Sequence, residues 1–332
     1  MASLKSVARR LQDRVLGTSF DRALARAAQE PYPSFLFCWN RGMGDIALKL
    51  VPQVALIRQR SSGAWISVIT RDDLKSAFEL TDVDEVFVLP GLERGVRIVP
   101  ASACTAVGID RIAFRYVIGD RVSTRLARTE VREVPRTLSW NPDWDPLATR
   151  HLKPFPHKTL IAVHVHTETT RYYGYVKDWS AAAWQDLFSR FRETDGVQWV
   201  LLGHKASPRY EGTNIIDLRG RTTLPELFSL IKNRCRVLIA PDSGVLTMVY
   251  CLGASFPIDL ISLWSDPRQG ILKYGGTSPN RLLRHVELIG PNDDVRNLPV
   301  ARVAAEVSAA LSRVRAAQPG KQPVRIALGG DA

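Results

Sequence analysis

Four stretches of the chain set charged or hydroxyl side chains directly after short apolar runs, which is where α/β proteins hold their ligands. The first is Gly42-Met43-Gly44-Asp45, continuing into Ile46-Ala47. Its glycines satisfy G-x-G-x-x-G/A, a pattern that lets backbone approach a pyrophosphate, yet Asp45 in that turn would repel one. A carboxylate there suits a general base or a helix cap, and both readings stand beside the dinucleotide one. Arg71-Asp72-Asp73, after the next run, offers acidic groups somewhat beyond the usual ribose position.

The second stretch carries Thr169, Thr170 and Arg171, then Lys177, Trp179 and Trp184. Hydroxyls that donate hydrogen bonds, with a guanidinium and an ammonium, could surround an anionic leaving group; the alternative is a solvated basic loop. The third is Asp242-Ser243-Gly244, running through Thr247. Backbone N–H groups and a helix N-terminus at Ser243 and Gly244 suit a phosphate, Asp242 suits a sugar hydroxyl, and a plain capped turn needs neither. The fourth, Trp264-Ser265-Asp266-Pro267-Arg268 with Lys273-Tyr274 beyond, fits a nucleotide wrap or an ordinary Asp-Pro turn. His164 and His166 lack a third ligand, so both read as structural. The triplets Asp82-Val83-Asp84 and Asp143-Trp144-Asp145 are isolated, whereas a hard cation needs convergent carboxylates, so no metal is expected.

The apolar runs themselves indicate which strands and helices carry these residues. Strands are expected at 34–39, 65–70, 85–89 and 112–118, then at 159–165, 197–202, 214–218, 236–240, 258–263 and 285–289. Helical patterns fall between them, among them 180–194, 224–233, 245–252 and 299–316. Alternation of this kind implies parallel sheets. Trp140, Pro142, Trp144 and Pro146 break the pattern, which places a boundary near residue 150 and gives two domains, 1–150 and 151–332.

The whole chain has 332 residues, 45% hydrophobic and 23% charged, so disorder and coiled coil are excluded. Four dispersed cysteines suggest neither a zinc site nor a disulfide framework. No run of 18 apolar residues exists and the N-terminus lacks the apolar core of a secretory signal, so a cytoplasmic location is expected. A net charge of +12 favours anionic partners without naming one, and nucleic acid rests on that charge alone. Residues 4–24 carry apolar groups at helical spacing with arginines on other faces. This arm packs on its own domain or lies on an anionic membrane, peripheral to the inner membrane.

In order along the chain, these stretches resemble glycosyltransferase family 9, the ADP-heptose:lipopolysaccharide heptosyltransferases. The resemblance rests on Arg41-Gly42-Met43-Gly44-Asp45 with Pro52, on Thr169-Thr170-Arg171 with Lys177-Asp178-Trp179 and Trp184, on Gly220-Arg221-Thr222-Thr223-Leu224, and on Asp242-Ser243-Gly244. Thr247 stands where the family usually has histidine. The resemblance implies a GT-B-like α/β fold, with an acceptor-side and a donor-side Rossmann-like domain facing each other across a cleft. It implies an inverting, metal-independent transferase that needs no cofactor and moves a sugar, heptose by default, from a nucleotide-sugar donor to a glycan or lipopolysaccharide-like acceptor. Asp45 would be the base and Lys177 the phosphate contact, with Thr169, Thr170, Arg171, Asp242, Ser243, Gly244 and Thr247 on the donor. Two rival readings are an NAD(P)-dependent oxidoreductase and a catalytically silent sugar-nucleotide-binding protein.

Overall fold

The computed structural model describes residues 18–119, 134–152, 157–167, 175–275 and 277–317. The chain forms two compact units, residues 1–140 with 251–253 and residues 141–250 with 254–332.

The first unit is built on a four-stranded parallel sheet of β1 (Ser34–Cys38), β2 (Trp65–Thr70), β3 (Glu85–Val88) and β4 (Tyr116–Ile118), in the order β3-β2-β1-β4. β1 is buried on both faces, as continuous Phe-Leu-Phe-Cys dictates. The strand expected at 112–118 is shortened because Asp110 accepts the Ile112 N–H at 2.9 Å and turns 111–113 into a 3-10 helix. Helix α1 (Ser19–Ala27) starts at a reciprocal cap between Thr18 and Asp21 and buries Phe20, Ala23, Leu24 and Ala27. That portion of the amphipathic arm therefore packs on its own domain; residues 1–17 lie outside the described residues.

After β1 the chain enters a helical turn at Met43–Asp45, widens into a π-helical turn at Ile46–Leu50, and continues as α2 (Val51–Arg60). Pro52 supplies a local reason for the irregularity. It has no N–H to give the Leu48 carbonyl, four residues back, and its ring would crowd that group. The Leu48 carbonyl instead accepts from Arg136 Nε at 3.3 Å, and the Val51 N–H reaches back five residues to Ile46.

The second unit carries β5 (Thr159–His164), β6 (Val197–Leu202), β7 (Ile215–Asp217), β8 (Cys235–Pro241), β9 (Ile258–Trp264) and β10 (Leu283–Ile289). All six are parallel, in the order β10-β9-β8-β5-β6-β7. Counted within the unit this is 3-2-1-4-5-6 read from the β7 edge, the doubly wound order whose ligand crevice opens between its first and fourth strands, here β5 and β8. Helices α3 (Ala181–Arg190), α4 (Leu224–Arg234), α5 (Gly244–Cys251) and α6 (Val300–Ala316) complete it. Trp179, Trp184, Phe188 and Trp199 form one aromatic core, with Trp179 and Trp184 edge to face at 5.0 Å.

Residues 141–149, read from sequence as part of the first domain, belong to the second unit. They form a 3-10 helix, Pro142–Thr149, on α4: Trp144 stacks on Phe228 and Asp145 pairs with Lys232 at 2.7 Å. The prolines suit this tight helix and remove the periodicity by which it could be read.

Candidate functional site

In the second unit the switch point of the sheet lies between β5 and β8, and described residues that follow these two strands meet there. Asp242 comes directly after β8, 6% exposed, and Lys177 arrives from the segment after β5, 8% exposed. Lys177 Nζ lies 2.7 Å from Asp242 Oδ2, and the Tyr175 hydroxyl donates to the same oxygen at 2.9 Å. Ions this deeply buried need partners to offset lost hydration, and here each has one, with the Tyr175 ring 5.2 Å from the ammonium. Sequence separated these groups by 65 positions, 177 to 242, and the strand order brings them together.

Ser243 opens α5. Its hydroxyl accepts the Leu246 N–H at 3.2 Å, the position of an N-cap, which leaves the positive helix end and the glycine backbone at Gly244 beside the pair. Thr247 is 2% exposed and its hydroxyl donates to the Ser243 carbonyl at 3.0 Å, so it braces the first turn from within. Thr169, Thr170 and Arg171 lie outside the described residues.

Spacing alone does not single out Tyr175 or Gly270. A Cβ at Gly270 would lie 2.6 Å from Asp242 Oδ1 and 2.7 Å from the Trp264 ring, and its φ is +49°. Glycine at 270 is thus required both by backbone conformation and by the closeness of the Asp242 carboxylate. Beyond it, Asp266, Pro267, Gln269, Leu272 and Lys273 line an open depression of about 690 Å³. Within this fourth stretch Arg268 bonds Asp266 through its backbone N–H and guanidinium, and so holds that carboxyl below the usual range. It is a self-contained turn on the rim.

His164 is buried at the end of β5, and burial, with repulsion from His166 second, pushes its pKa down to about 4. It is a neutral imidazole at ordinary pH. His166 pairs with Asp178, Nδ1 to Oδ2 at 2.8 Å. Among the described residues no group of three metal-ligating side chains gathers. The two Asp-x-Asp triplets serve structure: Asp82 and Asp84 hold Arg58 at 3.0 and 2.9 Å, and Asp145 holds Lys232.

In the first unit the order β3-β2-β1-β4 changes direction beside β1, so the turn Gly42-Met43-Gly44-Asp45 occupies the corresponding position. Asp45 Oδ1 is 2.6 Å from Lys49 Nζ one turn on, an i,i+4 ion pair. A Cβ at Gly42 would stand 3.4 Å from Arg94 Nη2 and 3.7 Å from Asp45 Oδ2, so a guanidinium flanks the turn. Asp45 makes no cap bond of its own; the helix start at Gly42 carries no side-chain cap. Arg71, 6% exposed, grips Asp73 through both carboxylate oxygens and donates to Asn40 Oδ1 at 2.7 Å. Asn40 in turn holds the carbonyls of Glu93 and Val96 at 2.8 and 2.6 Å. The Asp73 carboxylate that could have met a ribose is therefore committed to an arginine.

No family model matches the chain, and no curated protein matches it. Solved structures do. A family 9 glycosyltransferase from Veillonella parvula aligns over 85% of this chain and 97% of its own, at 14% identity and a TM-score of 0.57. The E. coli ADP-heptose LPS heptosyltransferase II aligns over 85% and 99%, at 16% identity and a TM-score of 0.55. E. coli heptosyltransferase WaaC with ADP aligns over 83% and 99%, at 11% identity and a TM-score of 0.51. The resemblance read from the motifs is thus met by structures of the same family. At these identities the likeness is one of architecture: this chain has an α/β, GT-B-like fold, the fold of family 9 glycosyltransferases.

Proposed function

We propose that this protein is a glycosyltransferase that takes its sugar from a nucleoside diphosphate held at the β5–β8 crevice. The observation that carries the reading is the buried Lys177–Asp242 pair beside the Ser243-Gly244 helix start, at the switch point of a doubly wound sheet. An ammonium and a helix N-terminus favour a diphosphate, and they favour it more as charge develops on the leaving group. Asp242 would share Lys177 with the phosphates and accept a hydrogen bond from a sugar hydroxyl. Thr169, Thr170 and Arg171, close in sequence to Lys177, would add donors.

Asp45 is the proposed base. An ionised carboxylate within hydrogen-bond reach of the acceptor hydroxyl would take its proton as the oxygen attacks the anomeric carbon, the diphosphate leaves, and the configuration inverts. The charge on the leaving group is met by side chains and a helix end, so the reaction is proposed to need neither metal nor cofactor. Heptose and ADP are the default donor parts because the E. coli structures of this fold are an ADP-heptose LPS heptosyltransferase II and a heptosyltransferase with ADP. A glycan hydroxyl is the proposed acceptor, in a cytoplasmic protein that works without nucleic acid.

The test is binding and transfer. Thermal shift with ADP-, GDP-, UDP- and dTDP-sugars is expected to single out one nucleotide, and transfer to a glycan acceptor is expected to persist in EDTA. Stabilisation by NAD(P) alone would replace this reading with an oxidoreductase. Donor binding with no transfer to any acceptor would leave a sugar-nucleotide-binding protein.

A further inference from the structure

Lys177 sits on a short segment whose anchors point in two directions. The Val176 carbonyl accepts from the Ser265 hydroxyl, which itself accepts the Val295 N–H at 2.8 Å. Trp179 Nε1–H donates to the Leu298 carbonyl at 3.0 Å. These tie the segment to the β9 side of the sheet. Asp178 ties it back to the end of β5: Oδ1 accepts the Thr167 N–H at 2.7 Å and Oδ2 meets His166 Nδ1 at 2.8 Å. One carboxylate thus joins residues 166–167 to residues 177–178, on either side of the positions that carry Thr169, Thr170 and Arg171 in sequence.

We infer that Asp178 is a positioning residue for donor binding: by clamping the chain at Thr167 and His166 it sets where the adjacent Lys177 ammonium meets a diphosphate. The inference rests on the donor-binding reading above. Its physical basis is that Lys177 is unbranched and flexible, so its ammonium is only as well placed as the backbone beneath it. Nothing in the spacing of Asp178 singled it out, since an acidic residue beside a lysine reads as ordinary surface charge.

The clamp depends on ionisation. Among the described residues, the charged and titratable groups facing Asp178 are His166, Lys177 and Tyr210. Burial raises the Asp178 pKa, while the Thr167 N–H, His166 and Lys177 pull it back. The carboxylate accepts from two partners at once; its protonated form gives up part of that grip. Donor affinity is therefore full above the Asp178 pKa and declines as pH falls through it.

The experiment is calorimetric titration of the full chain with the tightest of ADP, GDP, UDP and dTDP, from pH 5 to 8. Asp178→Asn is expected to weaken binding about 3- to 10-fold at pH 7.5, on the scale of the net worth of one ordinary hydrogen bond, because the substitution acts on the diphosphate only through the backbone beneath Lys177. It should also show less acid-side loss than wild type; titration of the nucleotide phosphate is common to both and cancels in the comparison. A role confined to folding would lower the melting temperature and leave the pH profile unchanged. If Asp178→Asn does not fold, His166→Gln decides, with the same direction and about a twofold effect. Folded variants with wild-type affinity and pH profile overturn the inference. Wild-type protein that binds none of the four nucleotides overturns the donor-binding reading, and the inference with it.

Discussion

Asp45 and Lys177 carry different kinds of charge and answer mutation differently. Asp45→Asn preserves shape and removes the proton acceptor, so turnover should fall by about 10²- to 10⁴-fold while donor affinity stays within twofold. Turnover near wild type, measured at saturating donor, would remove Asp45 as base. Lys177→Ala removes a phosphate contact and leaves the Asp242 carboxylate buried without its ion partner, so stability and donor affinity should both drop. The double variant Lys177→Ala/Asp242→Asn separates the two effects. It relieves the stranded charge and should recover much of the melting temperature, yet donor affinity should remain weak. Recovery of affinity together with stability would make the pair a structural bridge alone. Thr247 shows how burial assigns a role: with its hydroxyl bonded inside the first turn of α5, it shapes the site from behind.

At the scale of elements, two helix starts govern how accurately the sites are held. The first turn of α4 is organised by Glu226. Burial by itself would raise this carboxyl, but the Thr223 N–H and hydroxyl, His151 at 3.1 Å and Arg150 at 3.2 Å outweigh it and hold the pKa at about 2. A folded pKa below the ordinary value of about 4.3 means the contribution is complete above that value and is lost as pH falls toward 2. Glu226→Gln should therefore destabilise the protein by about 1 kcal/mol at pH 7, the scale of a helix cap, with the gap from wild type closing between about pH 4.3 and 2 in urea melts. A gap constant with pH would mean the carboxylate charge contributes nothing. The other start is the π-helical turn before α2. Arg136→Ala should expose the want of a partner at the Leu48 carbonyl and lower stability by about 1 kcal/mol. The start of α4 was legible, with Thr222 or Thr223 offered as its cap and Pro225 in its first turn, because capping is local chemistry; Thr223 is the residue that caps. The π-helical turn was not, because nothing about Pro52 says that Arg136 will satisfy the displaced carbonyl.

For the molecule as a whole, a nucleoside diphosphate at 100 times its Kd should stabilise the fold by about 2.7 kcal/mol. Hydrogen exchange should show protection at the ends of β5 and β8 and the start of α5. Protection concentrated instead after β1, at residues 39–45, would relocate the nucleotide to the first sheet and favour the dinucleotide reading. The ten strands among the described residues could be read from the sequence, since each is a run of mostly apolar residues or ends one, bounded by turn-formers, and a parallel strand in the middle of a covered sheet needs no more than that. Residues 111–113, expected as strand, and 142–149, which show no period in the sequence, were not legible for one reason. Their structure is set by an Asp110 cap and by packing on α4, neither of which leaves a period. What the amino-acid order determined without help was therefore local: element type, helix starts, and candidate residues placed after strands. What only the tertiary structure decided was partnership. Hydrophobic periodicity reports which face of an element is buried but not against which neighbour, so the order of the second sheet, the meeting of Lys177 with Asp242 and the bridge from Asp178 to His166 became visible only once the strands were arranged.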